Sequence, residues 1–214
     1  MRRRHLGRLA LLAGLPGLLP APAAPQGLVR RGGTPEGLAL ADALRLLRRG
    51  GLNLYLRHAI TDRTQADTGQ LESRAAQRNL SPAGEAQARA LGAALRRLGI
   101  PLAEVLTSPV FRARDTAELA FGAAPVHPAL VADDYTRRDP RQDAAEVSAL
   151  LARPVPGGGN RVLVGHIVPL GLVLGRALSQ AEFPEGALAL FQPQGAAWRF
   201  LGVLPAEALI EAPG

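Results

Sequence analysis

The sequence predicts an α/β protein, a three-layer α/β/α sandwich around a mainly parallel sheet with an antiparallel hairpin at one edge. Three observations carry this prediction. Helical and extended patterns alternate along the chain with short links, as they do when helices flank a sheet. The run "RVLVGH", residues 161–166, is continuously apolar up to its end, the pattern of a strand buried on both faces. Near the end, "GALALFQPQGAAWRFLGVL" reads as two strands joined across Gln194 and Gly195. A chain of 214 residues, 47% hydrophobic and 20% charged, suits one domain with a proper core. No internal repeat and no second domain is visible.

Taken in order, the elements have local causes. "TPEGLALADALRLLRRGG" predicts a helix with Thr34 as N-cap, Pro35 in the first turn and Gly50-Gly51 past the end. "LNLYLRHAIT" follows as a strand, because Leu52, Leu54 and Leu56 alternate with Asn53, Tyr55 and Arg57. A polar, irregular loop then runs from Thr61 to about Arg78. "NLSPAGEAQARALGAALRRLGIP" is the clearest helix, with Ser81 as cap, Pro82 opening it, and Ala88, Leu91, Leu95 and Leu98 on one apolar face. "AEVLTSP" gives a short strand, and "VFRARDTAELAFG" starts a helix directly from Ser108-Pro109. A variable stretch from Ala123 to about Asp143 precedes a helix that continues through Leu151. "PVPGGGN" reads as a loop, and "VPLGLVLGRALS" as a helix begun at Pro169.

Composition excludes several chemistries. There is no cysteine, so disulfides, thiolate metal sites and cysteine nucleophiles are out. Every one of the 25 basic residues is arginine, which removes a lysine-bearing phosphate loop and Schiff-base chemistry. The four histidines show no metal-binding spacing, and no GxSxG is present. No metal or cofactor is expected. The opening "MRRRHLGRLALLAGLPGLLPAPAAP" has the basic start, short apolar run and small-residue site of a secretory signal over residues 1–23. Arg3-Arg4-His5-Leu6 also resembles a twin-arginine signal. Cleavage after Ala23 would lower the formal charge from +7 to +3, so the basic balance is partly a targeting effect. With aromatic content at 4%, a nucleic-acid surface is poorly supported. Residues 24–33 then form a spacer and 34–214 the domain. The expected location is periplasmic or secreted, with no stable membrane span unless the signal is retained as an anchor.

Three strand exits carry chemically suggestive residues: Arg57-His58, Thr107-Ser108 with Arg112 beyond, and Gly165-His166. In open α/β sheets ligands bind at the carboxyl ends of the strands. If these strands are parallel, two arginines and two histidines converge on one point. Such a cluster repels itself unless an anion sits in it, and a phosphoryl group answers that need. Neutral imidazole is also a competent nucleophile.

At these residues the sequence resembles the histidine phosphatase superfamily, also called phosphoglycerate mutase-like. Arg57, His58 and Thr61 match its Arg-His-Gly-x-Thr signature, with Ala59 in place of glycine. Leu80, Ser81, Gly84, Gln87 and Ala88 are similar to its Leu-Ser-x-x-Gly-x-x-Gln-Ala helix, and "TSPVFRARDTA" to the segment carrying its second arginine, here Arg112. "VLVGHIVPL" is similar to the strand that brings in the second histidine, His166. The resemblance covers Leu52 to about Leu178, in the family's order. It implies a phosphoglycerate mutase-like fold and a phosphohistidine intermediate on His58. Arg57, Arg112 and His166 would hold the phosphoryl oxygens, with Thr61 touching the phosphate as well. The proton donor departs from the pattern: Ile167 follows the second histidine, and "VADDYTRRD" offers Asp133, Asp134 and Asp139 but no glutamate. Asp134 or its neighbour is the expected donor, with Glu185 and Asp62 as alternatives.

Taken singly, each feature has an ordinary structural explanation. A strand-end histidine is more often a satisfied structural residue, Arg112 alone a solvated helix charge, and "GGGNR" a plain loop. His5 and His127 are not expected in the chemistry. Joint occurrence in order is what favours a phosphohydrolase acting on a small phosphorylated substrate or a phosphoprotein. A phosphohistidine phosphatase, a phosphomutase and a non-catalytic phosphate- or phosphosugar-binding protein are the alternatives. Oligomeric state is not legible.

Overall fold

The computed structural model describes residues 38–214. The signal pattern at 1–23, the spacer at 24–33, His5 and the Thr34–Pro35 pair lie outside the described residues. Five strands form one sheet, β1 (Asn53–Arg57), β2 (Leu102–Thr107), β3 (Asn160–Gly165), β4 (Leu188–Gln194) and β5 (Ala197–Leu204), in the order β2-β3-β1-β4-β5. β3 pairs parallel with both β1 and β2, whereas β1–β4 and β4–β5 are antiparallel. The expected parallel core with an antiparallel edge hairpin is what forms, and helices cover both faces.

β1 is buried along its whole length. The two-residue period distributes its side chains between two cores. Leu54 and Leu56 pack with Leu47 of α1 (Leu40–Arg49), Leu91 and Leu95 of α2 (Pro82–Arg97) and Ala117 of α3 (Phe111–Phe121). Tyr55 faces the opposite layer, with Leu151 of α4 (Pro140–Ala152), Leu170 of α5 (Ile167–Leu174) and Phe183. The alternation read in the sequence therefore separates two buried faces, not a core face from a wet one. A short helix that sequence periodicity did not reveal, α6 (Ala206–Ile210), closes the chain against α2. Gln87 there donates to the Glu207 carboxylate at 3.0 Å. Among the described residues no helix is long and apolar enough to cross a membrane.

The helix ends show where local signals were sufficient. Ser81 caps α2 as expected, its hydroxyl accepting from the Gly84 N–H at 3.1 Å, with Pro82 in the first turn. α1 starts at Leu40, later than Thr34 would place it. α4 starts earlier than expected: Asp139 is the cap, accepting from the Arg141 N–H at 2.9 Å, and Pro140 opens the helix. Asp143 thus sits inside a helix and is buried, where the sequence placed it at the end of a loop. α5 begins at Ile167, directly after His166, and not at Pro169. A proline is tolerated there because the first-turn amides have no intrahelical acceptor to lose.

Two glycines allow the close approaches that shape the reactive edge. A Cβ at Gly84 would overlap the Ile60 carbonyl oxygen, so only glycine lets α2 lie against the turn that follows His58. A Cβ at Gly165 would overlap the Tyr55 hydroxyl. Gly84→Ala is expected to destabilise the domain by about 1–3 kcal/mol through backbone displacement. Chemical denaturation should show a lowered midpoint. A Gly84→Ala chain as stable as the parent would contradict this packing.

Candidate active site

The parallel register brings the ends of β1 and β3 level, Arg57 opposite Gly165, with Thr107 of β2 opposite Val164. Arg57, His58, Ser108, Arg112 and His166 consequently meet at one edge, each of them buried. The His58 and His166 rings lie 5.3 Å apart between centroids. The structure thus brings together the four residues on which the sequence reading centred.

His58 Nδ1 lies 2.9 Å from the Ala59 carbonyl oxygen. A carbonyl only accepts, so Nδ1 carries the proton and Nε2 is left with its lone pair. Burial, and then the charge of Arg112, hold the His58 pKa well below the ordinary histidine range. The imidazole is therefore neutral at ordinary pH, the state of a nucleophile. Among the described residues none other than glycine has a positive φ, so Ala59 stands in the glycine position of the signature without backbone strain.

His166 is positioned by two hydroxyls. Tyr55 donates to the His166 carbonyl at 3.0 Å and accepts its N–H at 2.9 Å. Burial raises the Tyr55 pKa, so this phenol keeps its proton. His166 Nε2 is 2.8 Å from Ser108 Oγ, which also accepts the Val110 N–H at 3.2 Å. If Nε2 carried a hydrogen, the Ser108 hydroxyl hydrogen would be buried without an acceptor. Ser108 therefore donates to Nε2, and the neutral ring carries its hydrogen on Nδ1. That nitrogen is buried and has no protein partner among the described residues, as are Arg57 Nε and Arg112 Nε. Burial and Arg112 likewise depress the His166 pKa.

Each arginine is anchored and left with unused donors. Arg57 gives one terminal nitrogen to the Phe183 carbonyl at 2.6 Å, and the other lies 3.9 Å from Glu185. Burial lowers its pKa to about 10 against the pull of Glu185, with Arg63, Arg78 and Arg112 adding to the lowering. Arg112 donates to Asp67 at 2.9 Å, and the Tyr135 hydroxyl and Arg78 N–H converge on the same carboxylate oxygen at 2.5 and 3.0 Å. Thr116 couples the helix of Arg112 to the residue that follows His58. Its hydroxyl donates to the Arg112 carbonyl at 2.7 Å and accepts the Ala59 N–H at 2.9 Å.

The acids are distributed unequally. Asp134, the expected donor, is exposed, and its side chain makes no hydrogen bond or ion pair with the described residues. Its neighbour Asp133 is half-buried, and burial followed by the charge of Asp134 raises its pKa, while Arg112 pulls it down. Asp139 caps α4. Asp62 caps its own loop, bonded to Thr64 and Gln65, and those bonds lower its pKa. Glu185 comes closest to His58: Oε1 is 4.0 Å from Nδ1 and accepts the Thr61 hydroxyl at 2.7 Å, and Oε2 meets Arg63 at 2.9 Å. Thr61 is thus engaged with Glu185. Arg78, which the sequence reading left as the end of a loop, bears electrostatically on both histidines and on Arg57. Its one available signal was its place just before the Asn79-Leu80-Ser81 cap. Among the described residues no group of three or more histidines and carboxylates is placed to hold a metal ion.

Residues 54–133 match the model of the histidine phosphatase superfamily, branch 1. No curated protein sequence matched the chain. Among solved structures, the protein histidine phosphatase SixA complexed with tungstate is similar with 19% identity and a TM-score of 0.52, over 72% of this chain and 97% of that one. A phosphoserine phosphatase mutant from Entamoeba histolytica in complex with phosphoserine gives 12% identity and a TM-score of 0.51, over 74% and 98%. An open reading frame product from Mycobacterium tuberculosis gives 17% identity and a TM-score of 0.50, over 71% and 96%. At these identities the likeness is one of fold.

Two outcomes follow from the geometry. Because unfolding releases two histidines to their ordinary pKa of 6.5, the unfolded chain binds more protons than the folded one below that pH. Stability is therefore expected to be level near neutrality and to fall progressively as pH drops below about 6.5. Thermal melts from pH 7.5 to 4.5 read this, and the His166→Asn variant should lose less across that range. Ser108→Ala should free the tautomer of His166 and reduce turnover about 10- to 100-fold. NMR of the imidazole nitrogens would show the change of tautomer directly, whereas a merely structural serine would leave it in place.

Proposed function

We propose that the chain, of which residues 54–133 match the histidine phosphatase superfamily model, is a metal-independent phosphohydrolase acting through a phosphohistidine on His58. The observation that carries this reading is the state of His58. It is buried and neutral, with Nδ1–H spent on a carbonyl and Nε2 free, beside two arginines whose Nε atoms have no protein partner. Nε2 attacks phosphorus and the bond to the leaving oxygen breaks. Water then attacks the same phosphorus, the P–N bond breaks, and phosphate departs. Arg57, Arg112 and His166 Nδ1–H hold the non-bridging oxygens and offset their charge in both transition states.

Asp133 is our choice of proton donor. A general acid must hold its proton near the working pH, and the environment of Asp133 raises its pKa while keeping it within the field of Arg112. Glu185 lies on the Nδ1 side of His58, away from the attacking nitrogen, with both oxygens occupied. Its role is to hold Arg57 and the imidazole in register. The amino-terminal pattern supports export, so we place the enzyme outside the cytoplasm, where phosphomonoesters or phosphoproteins of that compartment are its substrates.

The test is phosphate release from p-nitrophenyl phosphate and from an alkyl phosphate, with chelator present, across pH. His58→Ala should abolish turnover of both. Asp133→Asn should reduce turnover of the alkyl phosphate by about 100-fold or more, and affect p-nitrophenyl phosphate far less, because that leaving group needs no proton. Equal losses on both would remove Asp133 from the role. Release of at most one phosphate per chain would indicate a binding protein that has kept the pocket but lost turnover.

A further inference from the structure

A furrow separate from the reactive edge lies between α4 and α5, and none of the histidines or arginines of that edge lines it. It encloses about 910 Å³, within the roughly 300–1,000 Å³ usual for small-molecule sites. Its direction follows from the fold. α5 starts directly after His166, where β3 ends. Asn53, the first residue of β1, donates to the carbonyls of Leu151 and Arg153 at 2.8 and 3.0 Å, which places the end of α4 at the start of that strand. Both helices therefore begin at the reactive edge and run side by side towards Ala196 in the β4–β5 turn. With a rise of about 1.5 Å per residue, the eight residues of α5 give the furrow a length of roughly 12 Å.

The lining suits an apolar chain. Ala144 and Gly171 form a buried floor, and Ala145 and Ala149 continue it on the α4 side. These side chains end at Cβ or earlier, which leaves the furrow deep. A Cβ at Gly171 would stand 2.7 Å from the Arg176 carbonyl oxygen, so glycine also lets the chain fold back after α5 and close the far end. Val168 and Leu172, one turn apart on α5, form the opposite wall. They are 45% and 39% exposed, two of the three large hydrophobic side chains left open to water among the described residues. The one hydroxyl side chain in the lining, Ser148, already accepts from Trp198 Nε1 at 2.9 Å. An extended peptide would bring backbone N–H and carbonyl groups for which these side chains have no partner.

Charge distinguishes the two ends. Arg176, at the far end, is neutralised by Glu182 at 2.7 Å. Arg141, at the end towards the reactive edge, makes no ion pair and no side-chain hydrogen bond with the described residues. Asp143 and Glu146, the acids beside it on α4, are both engaged by Arg138. Arg141 also stands in the first turn of α4, where the helix dipole disfavours a cation. Local stability gives no reason for an arginine at this position, whereas an anion at the mouth of the furrow does. We infer that the furrow binds a free single-chain amphiphile with an anionic head, a medium-chain fatty acid, with its carboxylate on Arg141 and its tail along Val168 and Leu172. A bilayer fits less well, because the floor is recessed behind those two side chains. A second copy fits less well too, because a two-fold contact sets one arginine-bearing face against another. The inference goes beyond the phosphohydrolase reading and does not rest on it.

The experiment is calorimetric titration of the full chain with decanoate, octanoate and decyltrimethylammonium, each below its micellar concentration. Decanoate should bind once per chain, and about 5- to 15-fold more tightly than octanoate, the worth of two buried methylenes. Decyltrimethylammonium has the same tail and the opposite charge, and should bind about 10-fold more weakly or worse. Arg141→Gln should weaken decanoate about 3- to 10-fold and leave the cationic ligand no weaker. Ala149→Phe fills the furrow from an exposed position and should remove binding of both chains. Leu172→Asp, which sets a like charge beside the tail, is the second block if thermal melts show that Ala149→Phe fails to fold. Equal affinity for decanoate and decyltrimethylammonium overturns the inference, as does decanoate binding that a folded blocking variant leaves unchanged. Binding to phosphatidylglycerol vesicles with none to decanoate would make this face a membrane contact and overturn it. Sedimentation showing a dimer that the blocking variants dissociate, again without decanoate binding, would give the furrow to a second copy and overturn it.

Discussion

The burial of cationic and titratable groups at the carboxyl edge of the sheet, and then the repulsion among them, governs this structure. Arg57 and Arg112 are both withdrawn from water, and their fields add to those of Arg63 and Arg78. Interactions between charges in so dry a place are far stronger than at a surface. The fold answers in three ways. Both histidines stay neutral, Asp67 engages Arg112 through one oxygen while Glu185 lies between Arg57 and Arg63, and the guanidinium of Arg57 is itself made easier to deprotonate. What remains is a positive deficit of about the size that a phosphate dianion fills. The site is thus built for its ligand by being incomplete without it.

Positioning is left to neutral groups. Three hydroxyls, Tyr55, Ser108 and Thr116, fix the backbone of His166, the tautomer of His166 and the distance between Ala59 and the helix of Arg112. A hydroxyl both donates and accepts, so one side chain can satisfy two backbone groups without adding charge. In a site already crowded with cations, carboxylates in these places would neutralise the field that holds the phosphoryl group. Tyr55 shows how economical the arrangement is. Its ring fills one core layer, and its hydroxyl reaches between the N–H and carbonyl of His166, just past the end of the neighbouring strand.

Much of this was legible in the sequence, and the remainder was hidden for physical reasons. The period of β1 and the ordered motifs placed Arg57, His58, Arg112 and His166 on one edge, given only that the strands run parallel. Helix α2 was readable because its cap, opening proline and apolar face agree. Two kinds of information were not local. β4 runs antiparallel to β1, so its beginning and not its end faces the site, and that reversal is what carries Glu185 to His58. Asp133 and Asp134 are adjacent letters, one half-buried and one exposed, next to Tyr135, whose hydroxyl bonds Asp67 far back in the chain. Arg78 looked like the polar end of a loop, because its placement depends on a pairing between segments nearly twenty residues apart.

The pairing of β1 also separates what is rigid in this molecule from what is not. The strand is held on both sides up to its last residue, with the Arg57 amide bonded to Ala187 and the His58 amide to Gly165. The segment carrying Asp67 and Arg78 joins the body through one isolated bridge and through side chains, among them the Arg74–Asp115 and Arg63–Glu185 ion pairs and the bonds of Asp67 to Arg112 and Tyr135. Reactive and recognising groups therefore sit on parts of the chain with very different tolerance for sequence change. A lineage could exchange the 62–79 segment around Asp67, which anchors Arg112, and with it the kind of molecule accepted, while inheriting the phosphoryl chemistry. Laboratory grafting of that loop is the corresponding route to an enzyme with a new diet.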